Sequence, residues 1–295
     1  MAIIATLISN PHAPAVSRSL ANMASRTVGA SEMMWLAESV ACDLILPAGA
    51  KQGEAEEALR EVLAGSPVDI AVQASEGRRK RMLIADMDST MIDQECIDEL
   101  ADEIGIKAHV AAITARAMNG EIAFEPALRE RVALLEGLEL AVIERVITGR
   151  ITLASGGREL IATMRKAGAY TALVSGGFDI FTGRIAAQLG FHEHRANRLI
   201  EAHGKLTGKV VEPILGRQAK ADALMEIAAR LDLDLGEVMA VGDGANDLDM
   251  LRLAGAGVAI HAKPSVAAEA RIRIDHGDLT ALLYLQGYKR EEFAV

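Results

Sequence analysis

Residues 82–90 read MLIADMDST, an apolar run that ends in two aspartates, Asp86 and Asp88. The run predicts a buried strand whose end carries two carboxylates two positions apart. Buried carboxylates are costly to hold together unless a cation offsets their repulsion, and a hard cation such as Mg2+ prefers oxygen ligands. If the chain turns after Asp86, one carboxylate can act as a nucleophile and the other as an acid/base. This stretch therefore indicates phosphoryl transfer.

Three other segments supply groups that such a site needs. Residues 237–247, EVMAVGDGAND, predict a strand that ends at a third carboxylate, Asp243, and open α/β sheets bind ligands at such strand ends. Residues 170–179, YTALVSGGFD, predict a strand that ends in Ser175-Gly176-Gly177, where a hydroxyl and backbone amides can approach an anion. Lys220 opens a helical pattern and offers a fixed positive charge to a phosphate.

Each of these features alone has an ordinary explanation. Aspartates are common at turns, a Ser-Gly-Gly run commonly joins a strand to a helix, and a helical lysine is usually a solvated charge. Gly242-Asp243-Gly244 also begins like a dinucleotide-binding loop. Asp247 stands where that loop needs its third glycine, and its charge beside Asp243 would repel a pyrophosphate. The segments gain their meaning from their combination.

Taken in order, these motifs resemble the four motifs of the haloacid dehalogenase superfamily of phosphohydrolases. They are Asp86-Met87-Asp88-Ser89-Thr90, Ser175-Gly176-Gly177, Lys220 and Gly242-Asp243-Gly244-Ala245-Asn246-Asp247. Within that superfamily, residues 95–100 (ECIDEL), 124–132 (FEPALRERV), 174–179 (VSGGFD) and 196–200 (ANRLI) are similar to the phosphoserine phosphatase family. The resemblance covers about residues 82–285.

The resemblance implies a role for each carboxylate. Asp86 would attack phosphorus and form an aspartyl-phosphate, while Asp88 would protonate the leaving serine oxygen and then activate water. Mg2+ would be held by Asp86, the main-chain carbonyl of Asp88 and Asp243. The implied reaction is hydrolysis of O-phospho-L-serine to L-serine and phosphate, the last step of serine biosynthesis.

The resemblance also implies the groups that hold the substrate. Ser175, the Gly176 N–H and Lys220 would cradle the phosphate with support from Gly177, and Asn246 and Asp247 would orient that cluster. From the cap, Glu95 would bind the ammonium group and Arg131 the carboxylate, a task suited to a guanidinium fork. Met118 and Phe124 would help to close the pocket.

Other functions use a similar set of groups. A related enzyme could act on another small phosphoester, such as phosphohomoserine, or transfer the phosphoryl group to homoserine. A non-catalytic serine sensor would have no need of Asp86. A receiver-like phosphoacceptor would need neither a helical cap nor Asp88 poised as an acid.

We predict two domains in an α/β chain. Residues 77–295 should form a doubly wound parallel sheet with helices on both faces and a helical cap insert at about 94–153. Residues 1–76 predict the order strand–helix–strand–strand–helix–strand, a small split βαβ unit of the α+β class that resembles an ACT-like domain. Such a unit could sense serine, but pairing into a homodimer or simple packing explains it equally well.

Composition limits the classes of partner. A net charge of −10 argues against a nucleic-acid partner, and no uninterrupted apolar run of about 18 residues indicates a membrane span. We expect a cytoplasmic enzyme with a small-molecule substrate. The basic run at 78–81 (RRKR) is interpreted as a solvated junction before the strand at 82.

Overall fold

The computed structural model describes residues 2–118 and 121–295. The N-terminal unit contains β1 (Ile3–Ile8), α1 (Arg18–Thr27), β2 (Glu32–Ala37), β3 (Ala41–Ile45), α2 (Gln52–Val62) and β4 (Asp69–Ala74). Next come β5 (Met82–Ala85) and four helices, α3 (Cys96–Glu103), α4 (Lys107–Met118), α5 (Phe124–Ala133) and α6 (Leu140–Gly149). The remainder contains α7 (Gly157–Lys166), β6 (Tyr170–Phe178), α8 (Asp179–Leu189), β7 (Glu193–Asn197), β8 (Leu199–Ala202), β9 (Lys205–Val210), α9 (Arg217–Arg230), β10 (Val238–Gly242), α10 (Leu248–Leu253), β11 (Ala256–Ile260), α11 (Pro264–Ala267), β12 (Ile272–Ile274) and α12 (Ala281–Leu285).

The larger sheet is parallel, with the strand order β12-β11-β10-β5-β6-β7. Side chains alternate between its faces: Leu83 and Ala85 of β5 join one apolar cluster, and Met82 and Ile84 join another on the opposite face. Both faces are covered because a parallel sheet of this kind needs helices on each side. The prediction of a doubly wound α/β sheet is confirmed.

The central position of β5 decides where the site lies. β5 pairs with β10 on one side and with β6 on the other, and all three strands run in the same direction. Their carboxyl ends therefore meet at one edge of the sheet, where the segments after Ala85, Val174 and Val241 lie close together. β6 extends to Phe178, so the Ser-Gly-Gly segment predicted at the end of this strand lies within it.

The N-terminal unit forms an antiparallel sheet in the order β2-β3-β1-β4, and the predicted order of its elements is confirmed. One face packs on α1 and α2 through a cluster that includes Leu7, Leu44 and Leu59. The other face contributes Ile8 and Leu36 to the apolar cluster of the parallel-sheet unit. The ACT-like assignment and the boundary at residues 76/77 stay predictions.

The interpretation of residues 78–81 as a solvated junction is wrong for Arg78. Its side chain is 9% exposed and its guanidinium lies 2.7 Å from the fully buried carboxylate of Asp43 in β3. Arg78 also donates to the main-chain oxygens of Tyr284 and Leu285. Arg78 can be buried because its charge is paired with Asp43 and its other donors bond to the C-terminal segment. A run of basic residues in the sequence does not predict these partners.

The cap helices α3–α6 lie between β5 and α7, and a small hairpin supports them. β8 and β9 pair in an antiparallel ribbon. The hairpin bonds to the loop between α5 and α6: the Gly137 amide donates to the Leu206 carbonyl (2.8 Å), and the Leu140 amide donates to the Gly204 carbonyl (3.1 Å). Within the described part of the chain, no helix combines the length and apolar character needed to cross a membrane.

Candidate active site

Asp86 is held by the strand that it follows. Its amide donates to the Val241 carbonyl at 3.0 Å, which extends the β5–β10 pairing by one step. One carboxylate oxygen, Oδ1, accepts the Met87 amide at 2.7 Å. Burial is the first cause that raises the pKa of Asp86, and the Asp247 charge is the second. A bound cation would oppose both effects and favour the carboxylate that a nucleophile requires.

Lys220 joins two of the aspartates. Its fully buried ammonium lies 2.8 Å from Asp86 Oδ2 and 2.7 Å from Asp247 Oδ1. Burial disfavours the charged lysine, but the two carboxylates outweigh that penalty, so the pKa of Lys220 is raised and the ammonium keeps its proton. Lys220 does not line the open cavity, whereas Asp86 does. A phosphate could therefore contact Lys220, as predicted, only next to the Asp86 carboxylate.

Asp247 is fixed from its other side as well. Its Oδ2 accepts the Gly244 amide at 3.0 Å. A Cβ on Gly242 would lie 2.3 Å from the Asp247 carboxyl carbon, so only glycine lets the loop and Asp247 approach this closely. With both oxygens engaged, Asp247 positions Lys220 and the loop, which agrees with the supporting role predicted for it.

Three buried carboxylates form a candidate cation site. Oxygens of Asp86, Asp243 and Asp247 lie within 4.8 Å of one another. Thr90 donates its hydroxyl to Asp243 Oδ1 at 3.2 Å. The pKa of Asp243 is raised to about 6, mainly by burial and secondly by the negative charge of Asp247. An all-oxygen set with more negative than positive charge fits a hard divalent cation. Asp86 and Asp247 each have a partner on both carboxylate oxygens, whereas the hydrogen bond from Thr90 engages one oxygen of Asp243.

Asp88 occupies a different environment. Its Oδ1 accepts the Cys96 amide at the N-terminus of α3 at 3.2 Å, an arrangement that favours the anion. Burial and then the Glu95 charge outweigh this contact and raise the pKa of Asp88 to about 7. A Cβ on Gly177 would lie 2.7 Å from Asp88 Oδ2, so Gly177 makes room for the carboxylate. Such a group can carry or release a proton near neutral pH, as a general acid/base must.

The Ser175-Gly176-Gly177 segment lies opposite these carboxylates. Ser175 is buried, and its hydroxyl accepts the Gly177 amide at 2.9 Å. Asn197, at the end of β7, donates to the Gly176 carbonyl at 2.8 Å and to the Leu215 carbonyl at 3.0 Å. It also accepts the Leu215 amide at 2.6 Å, so one buried amide side chain ties the end of β6 to the segment before α9.

The strand ends and the cap enclose a cavity of about 500 Å³. Its lining includes these predicted residues: Asp86, Asp88, Glu95, Phe124, Arg131, Ser175, Gly176, Gly177, Asp243 and Asn246. Lys220 and Asp247 lie behind Asp86, as described above. Met118 ends α4, but its side chain lies outside the described residues, so its predicted contact with the pocket stays a prediction.

The cap residues are held by polar contacts of modest strength. Glu95 accepts the Ser89 hydroxyl at 2.7 Å, and Ser89 has the uncommon positive φ of 54° that turns the chain after Asp88. Arg131 donates to the Thr114 hydroxyl and to the Ala127 carbonyl, both at 3.3 Å. These contacts leave each charged group able to bind a ligand.

Phe124 closes the cap onto the floor of the cavity. A Cβ on Gly176 would lie 3.2 Å from the Phe124 ring, and a Cβ on Gly216 would lie at the same distance. The ring therefore packs between two glycines of the parallel-sheet unit. Its role in closing the pocket over a substrate stays a prediction.

Sequence reasoning missed four residues that shape the site: Thr90, Asn197, Arg217 and Lys263. Thr90 and Asn197 act through hydrogen bonds to other site residues, and Arg217 and Lys263 line the cavity. Thr90 belongs to the first motif and Asn197 to residues 196–200, so both positions lay in segments quoted for the family resemblance and were usable signals. The others come from segments whose proximity depends on the tertiary fold.

Comparison with known proteins agrees with this geometry. The family model described as haloacid dehalogenase-like hydrolase matches residues 83–252. A phosphoserine phosphatase of Streptomyces coelicolor is 42% identical over 249 residues, which are 82% of this chain and 60% of that protein. The chain thus spans three-fifths of that relative's length.

Two solved structures extend the comparison. A HAD family hydrolase from Salmonella enterica serovar Typhi is 31% identical with a TM-score of 0.86, and the match covers 96% of this chain and 98% of that chain. A phosphoserine phosphatase solved as a phospho-aspartyl intermediate analogue is 42% identical with a TM-score of 0.65, covering 70% of this chain and 98% of that one. The first match includes the N-terminal unit, and the second covers less of the chain.

Proposed function

The chain belongs to the haloacid dehalogenase-like hydrolases, and from that premise we propose that it hydrolyses O-phospho-L-serine to L-serine and phosphate. One observation supports the proposal: Asp86, Asp88, Glu95 and Arg131 all line a single cavity. The first pair suits phosphoryl transfer, and the second pair suits a zwitterionic amino acid. The similarity to phosphoserine phosphatases supports the same substrate.

The first step transfers the phosphoryl group to Asp86. A carboxylate oxygen of Asp86 forms a bond to phosphorus as the bond from phosphorus to the serine oxygen breaks. The Asp88 carboxyl gives its proton to that oxygen, so L-serine leaves as a neutral alcohol. A pKa of about 7 lets Asp88 hold this proton at neutral pH.

The second step returns the enzyme to its starting state. The Asp88 carboxylate takes a proton from a water molecule whose oxygen bonds to phosphorus. The bond between phosphorus and the Asp86 oxygen then breaks, and phosphate is released. Both steps use the same two carboxylates, and Lys220 beside Asp86 balances negative charge throughout.

The carboxylate set would hold Mg2+ through Asp86, Asp243 and the main-chain carbonyl of Asp88. When bound, Mg2+ offsets the repulsion between these carboxylates and the phosphate oxygens. Around it, Ser175 and the Gly176 amide bind the phosphate, and Asn246 and Asp247 hold the loop in place. The chain's own contribution is mainly positioning and charge balance.

Glu95 and Arg131 line the same cavity, where Glu95 binds the ammonium group and Arg131 the carboxylate of the substrate. Phe124 covers them and excludes water when the cap is closed. A sugar phosphate lacks both charged groups and would leave Glu95 and Arg131 without partners. Preference for phosphoserine therefore depends on the cap.

The test is phosphate release from L-phosphoserine, phosphothreonine, phosphohomoserine and a sugar phosphate, each with and without Mg2+. We expect strong, Mg2+-dependent preference for phosphoserine. Asp86→Asn protein purified in parallel controls for contaminating phosphatases. Equal rates on all four substrates would contradict the roles of Glu95 and Arg131. Absence of release from all four would contradict the proposed hydrolysis.

A further inference from the structure

The cations that line the cavity differ in how they are paired. Arg217 makes two bonds of 2.5 Å to the Asp249 carboxylate, which occupies its guanidinium. Arg131 lies on the cap, where the proposed function assigns it to the substrate carboxylate. Lys263 also lines the cavity, where its charge acts on Asp243, but among the described residues it forms no ion pair within 4.0 Å. Of the three cations that line the cavity, Lys263 is therefore the one to which no role has been assigned.

The backbone holds Lys263 at the edge of the cation site. Its amide donates to the Asp243 carbonyl at 3.3 Å, which ties the loop to the end of β10. Lys263 precedes Pro264, the first residue of α11, and has an extended backbone with φ −57° and ψ 146°. A residue before proline is restricted to this region, so the start of the side chain is fixed while its end is exposed.

The neighbouring loop is fixed as well. The His261 amide donates to the Ile274 carbonyl at 2.8 Å, and its ring nitrogen Nε2 lies 2.8 Å from the Gly277 carbonyl oxygen. His261 has a positive φ of 45°, a conformation that needs support from its surroundings. Lys263 therefore has a backbone held by hydrogen bonds and a long, exposed side chain, a combination that suits binding of an anion that enters from solvent.

The charge balance of the cavity indicates what Lys263 binds. Four carboxylates line it, from Asp86, Asp88, Glu95 and Asp243, and they repel an incoming phosphate dianion. The ammonium of Lys220 is buried behind Asp86 and is neutralised by two partners. An exposed lysine beside Asp243 supplies positive charge at the entrance to the phosphate end of the cavity.

We propose that Lys263 binds the phosphoryl group of the incoming phosphomonoester and the phosphate product at the rim of this cavity. This inference rests on the proposed function for its substrate. It requires only that a phosphate dianion enters past Asp243, and it assigns Lys263 to binding and not to the proton transfers. Ser265 lines the same rim and offers a hydroxyl to the same anion.

The test compares Lys263→Met with Lys263→Arg, which keeps the charge. Lys209→Met is the matched control, because it removes an exposed lysine from β9 without touching the cavity lining. We expect Lys263→Met to raise KM for phosphoserine about tenfold, as loss of one charge-assisted hydrogen bond would, with a smaller change in kcat. Lys263→Arg should recover most of the affinity, and Lys209→Met should match the unaltered protein.

Binding of inorganic phosphate, measured by calorimetry with Mg2+, provides a readout that does not depend on turnover. The Kd should rise by about the same factor in Lys263→Met, and the dependence of kcat/KM on ionic strength should become weaker. An unchanged phosphate Kd, or an equal change in Lys209→Met, would overturn the inference. A fall in kcat at constant KM and Kd would also overturn it, because Lys263 would then act through Asp243. Failure of the proposed function would look different, since the unaltered protein would then release no phosphate from phosphoserine.

Discussion

The floor of the cavity consists of residues at the ends of three adjacent strands, whereas its roof consists of residues on the cap helices. Behind the floor, the buried ammonium of Lys220 bonds to Asp86, which lines the cavity, and to Asp247, which does not. On the roof, Glu95 is exposed and Arg131 is half-buried, and both bond to neutral groups. Under the proposed function, the floor carries the reaction and the roof selects the substrate, so changes in the roof should alter substrate choice more than the reaction.

The largest effect is expected at the nucleophile. Asp86→Asn should lower turnover on the order of 10⁴-fold or more, because an amide cannot form the covalent intermediate. The substitution keeps the side-chain shape, so the circular dichroism spectrum should not change. Steady-state phosphate release measures the effect, and near-full activity of the variant would contradict the covalent mechanism.

A second large effect is expected where the floor holds itself together. Lys220→Met removes the cation between two buried aspartates and should cost about 3–5 kcal/mol of folding free energy, together with most of the activity. Urea unfolding without Mg2+ measures the stability. Lys166→Met, at the exposed end of α7, is the control and should change stability little. A stability like that of the control would mean that Lys220 does not hold the floor together.

The roof should respond selectively. Arg131→Ala should raise KM for phosphoserine about 100-fold, as expected for loss of a bidentate ion pair, and should affect phosphoethanolamine, which lacks the carboxylate, much less. Arg131→Lys should recover only part of the affinity, because an ammonium lacks the planar fork. Equal losses for both substrates would show that Arg131 supports the cap and does not bind the carboxylate.

The smallest effect is the dependence of rate on pH. Asp88 must be protonated to act as the acid, and its pKa is raised to about 7 by burial and by Glu95. The rate of Asp86 phosphorylation, followed in single turnovers, should therefore fall as pH rises above about 7, approaching tenfold per pH unit. In Asp88→Asn the residual rate should lose this alkaline decrease. A profile identical in both proteins would assign the titration to another group.

The difference between floor and roof also governs what the sequence could reveal. Strand ends were predictable because Asp86, Asp88 and Asp243 each follow an apolar run, and adjacent parallel strands bring such ends together. The alternation of Leu83 and Ile84 between two apolar clusters follows from the same period of two. Glu95, Arg131 and Phe124 were placed at the cavity only through family resemblance. Without it, Glu95 and Arg131 are expected to be ordinary surface charges.

Contacts between residues that lie far apart in the sequence could not be predicted from it. Arg78 reads as part of a solvated basic run, and its pairing with Asp43 depends on how the small sheet packs. Asn197 joins the end of β6 to the segment before α9. Lys263 lies at the cavity because β11, which precedes it, pairs with β10. Lys220 was expected at the phosphate, but its burial behind Asp86 depends on the packing of α9. In each case the sequence identifies the residue but does not predict which residue it contacts.

The central claim is that Asp86 carries the phosphoryl group during hydrolysis of phosphoserine. The most direct measurement is rapid quenching of enzyme mixed with L-phosphoserine and Mg2+, followed by mass spectrometry of the intact chain and of its peptides. The account predicts a transient gain of one phosphoryl group, located on Asp86 and missing from Asp86→Asn. Turnover of phosphoserine with no phosphorylated enzyme, or with the group on another residue, would contradict it.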